Sequence, residues 1–143
     1  MYNPDSPDNS LGFWLKQAQH SFHTRMEEAL RPLGLTVSQY AVLTQLAAHP
    51  GLSNADLARL AFITAQSMQG VLANLESAGL VRRTADVAHG RRQPASVTPD
   101  GASLLSQAHV LVGDLEAKLV AAAAPLDRDE AIALLARIRT AFA

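Results

Sequence analysis

From Ser10 onward the apolar residues recur every three or four positions, the spacing of helices that each bury one face. Leu11, Leu15, Ala18, Phe22, Met26 and Leu30 predict a first helix over residues 10–31, stopped by Pro32 and Gly34. Thr36-x-x-Gln39 is a capping-box pattern, in which two side chains satisfy backbone amides that a helix start leaves free. It opens a second helix over 36–48, with Tyr40, Val42, Leu43 and Leu46 on its apolar face, before a Pro50-Gly51 turn. Ser53-x-x-Asp56 opens a short third helix over 53–60 that is expected to bury Leu57 and Leu60. After a four-residue bend, a fourth helix over 64–77 carries Met68, Val71, Leu72 and Leu75 inward and Gln66, Ser67, Gln69 and Asn74 outward.

Gly79 ends that helix, and the period then changes. Residues 80–98 read LVRRTADVAHGRRQPASVT, with strand-like Val81 and Val97 at the ends and a tip that holds Gly90 and arginines. Two short helices joined by a tight turn and followed by a basic hairpin make a winged helix-turn-helix, a device for reading duplex DNA. Beyond the hairpin, Asp100-Gly101 is expected to open a long helix with Leu104, Ala108, Leu111, Leu115 and Leu119 on one stripe. Pro125 interrupts it, and Asp127-x-x-Glu130 caps a last helix bearing Ile132, Leu135, Ile138 and Phe142. The fold class expected is mostly α with a small β-hairpin wing. The reading head spans 36–99, and the flanking helices at 10–35 and 100–143 form a dimerisation base. Those helices carry apolar stripes that need a partner, which a symmetric dimer supplies; packing on the reading head of the same chain is the alternative.

Composition narrows the class. At 143 residues the chain fits one domain, with residues 1–9 as a flexible arm. A hydrophobic content of 48% supports a core, and the absence of cysteine excludes disulfides and thiolate metal sites. No apolar run approaches the roughly 20 residues of a membrane span. The opening MYNPDSPDNS lacks the basic and apolar regions of a signal peptide, so a cytoplasmic protein is expected. Net charge is −1 and gives no electrostatic hint of nucleic acid. Between Ser53 and Asp100 five arginines (59, 82, 83, 91, 92) face four acids (56, 76, 86, 100), a net of one positive charge. A DNA reading therefore rests on the motif and on where the arginines sit.

Three segments carry a family resemblance: LTVSQYAVLTQLAAHPGLSNADLARLAFITAQSM, LESAGLVRR, and HGRRQPASVTPDG followed by LL. In that order and spacing the chain resembles the MarR-type (multiple antibiotic resistance regulator) transcription factors, from about Leu11 to Phe142. The resemblance implies an obligate dimer on palindromic operators, usually a repressor and often released by a small aromatic or lipophilic molecule. Residues 10–143 then form a single MarR-like domain. One departure is His89, where the family commonly has an aspartate that pairs with the wing arginine, aligned here with Arg91. Asp86 is a substitute partner for it.

Arg91 near the wing tip is placed to enter a minor groove, whose negative potential attracts arginine when narrow; a solvated surface arginine is the bland alternative. Arg92 is a phosphate contact or exposed. One of Arg82 and Arg83, at the wing base, is expected to pair with an acid such as Glu76. The fourth helix has no lysine or arginine, so base reading falls to Gln66, Ser67 and Gln69 with Thr64 at the helix start. Gly70 costs that helix about 1 kcal/mol relative to alanine and points to a close approach, by DNA or by a neighbouring helix.

His20, His23 and Glu27 at helical spacing suit a metal or, more simply, a solvated face; no metal or other cofactor is expected. His49 reads as a helix-end residue. Trp14, Phe22, Met26 and Tyr40 line a candidate effector cavity between base and reading head, or else serve as core. Partners expected are double-stranded DNA, a second copy and a small effector, with no membrane. A winged-helix protein–protein module without DNA binding is the alternative, supported by the near-neutral charge. An enzyme has no cysteine nucleophile, phosphate loop or paired metal signature behind it.

Overall fold

The computed structural model describes residues 1–83, 85–86, 91–92 and 94–143, with 85–86 and 91–92 as backbone. Among these described residues six α-helices and two short antiparallel ladders follow in the order α1 (Leu11–Leu30), α2 (Val37–Ala48), α3 (Asn54–Ala61), α4 (Ala65–Ser77), β1 (Val81–Arg82), β2 (Ala85–Asp86), β3 (Arg91–Arg92), β4 (Ser96–Val97), α5 (Pro99–Ala122) and α6 (Arg128–Thr140). Among the described residues no helix is long and apolar enough to cross a membrane.

The helix starts lie where the caps predict. Thr36 and Gln39 close a reciprocal capping box at 3.0 Å in each direction, and Asp127 with Glu130 does the same at 2.8 Å. Ser53 and Thr64 each accept a backbone amide three residues on, so α3 and α4 both begin on a satisfied donor. α5 differs from expectation. Its cap is Thr98, with Pro99 in the first turn, and Gly101 lies inside the helix. Thr98 Oγ1 accepts the Gly101 amide at 3.1 Å and donates to the Gly79 carbonyl at 2.6 Å. Gly101 is required by packing: a Cβ there would stand 2.1 Å from the Leu80 carbonyl oxygen. That close approach seats α5 against the end of α4.

The core gathers Leu30, Leu35, Val42, Leu43, Leu46, Leu57, Met68, Leu72, Leu75, Val81, Leu105, Ala108 and Val112 around α2. The predicted inward faces of α2 and α4 are therefore the buried ones, with Tyr40 and Val71 half-buried. In α3 Leu57 is buried as expected, with Ala58 beside it, whereas Leu60 is 42% exposed. At the α-helical angle, Leu57, Ala58 and Ala61 share one arc, and Leu60 lies beyond its edge.

The flanking helices depart further. Only Met26 and Leu30 of the α1 stripe are buried, while Leu11 and Leu15 face solvent. The α5 stripe is rotated by one position: Leu105, Ala108 and Val112 are buried, Leu104, Leu111 and Leu115 are half-buried, and Leu119 is exposed. α6 buries none of its residues, and Phe142 lies beyond its end.

Candidate nucleic-acid interface

Helices α3 and α4 with the turn between them present one polar surface. Gln66, Ser67 and Gln69 are all exposed on the first turns of α4, opposite the buried Met68, Leu72 and Leu75. Thr64 is the helix cap: its Oγ1 accepts the Ser67 amide at 3.0 Å and lies 2.9 Å from the Ser67 hydroxyl. Those two hydroxyls are thus tied together, and the two glutamines are the long side chains of that face, with no hydrogen bond to another side chain among the described residues. A glutamine amide offers a donor and an acceptor side by side, the pattern that adenine N6 and N7 answer in a major groove. The N-terminus of α4 adds a partial positive charge at the same end.

The hairpin rises beside it. β1 pairs with β4, Val81 opposite Val97, and β2 pairs with β3, Asp86 opposite Arg91 and Ala85 opposite Arg92. This register is the backbone placement that a pairing between Asp86 and Arg91 needs. His89 and Gly90 lie outside the described residues. At the wing base the acid is shared out: Arg83 Nε donates to Glu76 Oε2 at 3.0 Å, its side chain 5% exposed, while Arg82 stays at the surface. On α3, Arg59 hydrogen-bonds Asp56. The Ser53 hydroxyl and the Arg59 guanidinium hold the Asp56 carboxyl below its ordinary range.

Gly70 is exposed, and a Cβ on it would meet nothing within 4 Å, so no helix of this chain explains its choice. Phe62, in the turn before α4, was not singled out by its sequence. It adopts a left-handed conformation (φ +56°) with its ring exposed. The only sequence sign is what the bend lacks: Ala61-Phe62-Ile63 contains none of the glycine, asparagine or aspartate that such turns favour.

The four residues expected around an effector are not brought together by one chain. Phe22 and Met26 pack with the core. Trp14 stands twelve residues before Met26, about 18 Å along the α1 axis. Its indole N–H donates to the Asp8 carbonyl at 2.6 Å and its ring meets Phe13 edge-on, which fastens residues 7–9 to α1. Tyr40 lies at the seam of α2 and α5, where its hydroxyl is 2.8 Å from His109 Nδ1. Burial raises the Tyr40 phenol above its ordinary range and the Glu116 charge adds to this, against an opposing hydrogen bond with Thr44. His109 carried no signal in the sequence, being a single histidine on an otherwise ordinary helix.

His23 Nε2 meets Glu27 Oε1 at 2.8 Å. Among the described residues no three His, Cys, Asp or Glu side chains cluster as metal ligands would. His49 occupies the C-cap of α2, as expected. A groove of about 420 Å³ runs between α5 and α6, walled by Leu119, Val120, Leu126, Ile132 and Leu135.

Comparison with known proteins agrees with this geometry. The MarR family model matches residues 33–92. The HTH-type transcriptional repressor Rv2887 of Mycobacterium tuberculosis is 40% identical over 114 residues, 80% of this chain and 82% of that protein. The chain belongs to the MarR family. Rv2887 has been solved in complex with DNA, and that structure matches with a TM-score of 0.72 at 32% identity, covering 90% of this chain and 97% of the other. Its complex with salicylic acid matches at 0.68 and 35% identity, covering 92% and 95%. Winged-helix family members of this kind are transcriptional regulators, which accords with the mostly helical fold and its small hairpin.

Proposed function

We infer that the protein is a sequence-specific, DNA-binding transcriptional regulator: a homodimeric repressor of a palindromic operator, released by a small aromatic or lipophilic effector. The observation that carries this reading is the outward face of α4, with Gln66 and Gln69 exposed on a capped helix whose opposite face is locked into the core. In this reading Gln66, Ser67 and Gln69 read base edges, Thr64 orients them, Arg91 serves the minor groove and Arg92 a phosphate. The reading head occupies 36–99, and the helices of 10–35 and 100–143 hold two copies together. Trp14, Phe22, Met26 and Tyr40 remain the effector candidates. The related repressor solved with salicylic acid makes aromatic carboxylates the compounds to try first. The protein works in the cytoplasm, where its DNA is, and catalyses no reaction.

Selection of bound sequences from a random duplex library tests this directly. Enrichment of an inverted repeat with half-site centres about 10 base pairs apart is expected. Affinity for it should fall steeply with salt, as phosphate contacts require. No enrichment would favour a winged-helix module that binds protein, which the arginine-free α4 and the net charge of −1 would then explain.

A further inference from the structure

Two residues of the reading head oppose folding, and nothing among the described residues offsets either. Phe62 closes α3 in the left-handed region at φ +56°, its amide bonding back to the carbonyls of Ala58 and Arg59. Ile63 N–H reaches the Ala58 carbonyl at 3.0 Å, which completes the turn. Glycine or asparagine normally takes this position, because a larger side chain crowds its own backbone there. An aromatic ring would compensate by burial, yet the Phe62 ring is 88% exposed, while Ile63 beside it packs on the core. Gly70 sits inside α4, where alanine forms helix better. The space around it is open, so no packing in the chain requires its missing side chain.

Both positions adjoin the residues of that face along the chain. Phe62 stands two residues before the cap Thr64, and Gly70 follows Gln66 by one helical turn and adjoins Gln69. We propose that Phe62 and Gly70 are contact positions for duplex DNA. The ring of Phe62 rests on the apolar edge of a backbone deoxyribose, and Gly70 marks where the DNA comes into van der Waals contact with the α4 backbone. This rests on the DNA-binding reading above and assigns two further residues to it. A methyl group at Gly70 would lift the helix out of the groove and draw Gln66 and Gln69 away from the bases. Duplex is the occupant because the neighbours are hydrogen-bonding side chains at the positive end of a helix, Thr64, Gln66, Ser67 and Gln69. The apolar faces that suit a second copy lie instead on α1, α5 and α6.

The test sets stability against affinity. Phe62→Asn and Gly70→Ala, each in the full chain, are compared with the unaltered protein by thermal unfolding and by binding to the selected operator and to a scrambled duplex. Both variants should melt higher, by about 2–4 °C, while operator affinity falls about tenfold. Gly70→Ala should lose more on the operator than on the scrambled duplex, since it displaces base readers. Phe62→Asn should lose equally on both, since a sugar carries no sequence. A variant that keeps full operator affinity overturns the assignment of its residue and leaves the DNA-binding reading standing. A lower melting temperature accompanying lost affinity also overturns it, because the residue would then serve the fold. An unaltered chain that binds no duplex overturns both readings together.

Discussion

Helices α4 and α6 are each 13 residues long, yet α4 buries Met68, Leu72 and Leu75 while α6 buries nothing. The difference is one of partners. α4 is enclosed by α2, α3 and the base of the hairpin, and its apolar side meets side chains from all three. α6 faces the C-terminal end of α5 across an open groove, which leaves Ile132 49% and Leu135 56% exposed. Since full burial of one such side chain is worth about 1.5–3 kcal/mol, a face of this size is not left to water in a stable protein. The reading head completes its core within one chain; α1, α5 and α6 keep apolar side chains exposed.

The comparison breaks most visibly at Leu135. On the dimer proposed above, Leu135→Glu places a charge on the exposed apolar side of α6 while leaving the core of the chain intact, so the protein should become monomeric by light scattering with its helical content retained. Operator affinity should fall about a hundredfold or more, because the second half-site no longer adds to the first. A dimer that survives this change would place the interface elsewhere.

The next largest effect belongs to the joint between the two regions. Gly101→Ala drives a Cβ into the Leu80 carbonyl oxygen, which is backbone and cannot swing away. A loss of about 3 kcal/mol in urea unfolding is expected. Unchanged stability would mean that α5 is not pinned to the end of α4.

Within the reading head, Glu76→Gln leaves the nearly buried Arg83 guanidinium without its anion. Glu76 is itself partly exposed and solvent screens the pair, so the cost should be about 1 kcal/mol and should shrink as salt is added.

The smallest effect lies at the seam. Tyr40→Phe gives up one hydrogen bond to His109, at most about 1 kcal/mol. It also changes the alkaline limb of stability. Because the folded protein holds the Tyr40 proton more tightly than the unfolded chain, this residue's contribution is fully present below its ordinary pKa of 10.0 and is lost as pH rises through the higher folded value. The variant should show a shallower decline above pH 10, measured as melting temperature against pH; an identical slope would separate Tyr40 from that titration.

What the chain spells out by itself is whatever depends on neighbours three or four residues away. The caps at Thr36, Ser53, Thr64 and Asp127, the buried side of α2 and α4, and the polar face with Gln66 and Gln69 all follow from helical period and local hydrogen bonds. The tertiary structure decided what depends on the element lying opposite. It turned the α5 stripe toward Leu105 and Val112, left Leu60 outside, and gave Glu76 to Arg83 rather than Arg82. It made Gly101 a point of contact, paired Tyr40 with His109, 69 residues away, and set Phe62 in a left-handed turn. A helix chooses its apolar side from its own sequence, but how much of that side is covered is a property of the elements opposite, and for α6 no element among the described residues covers it.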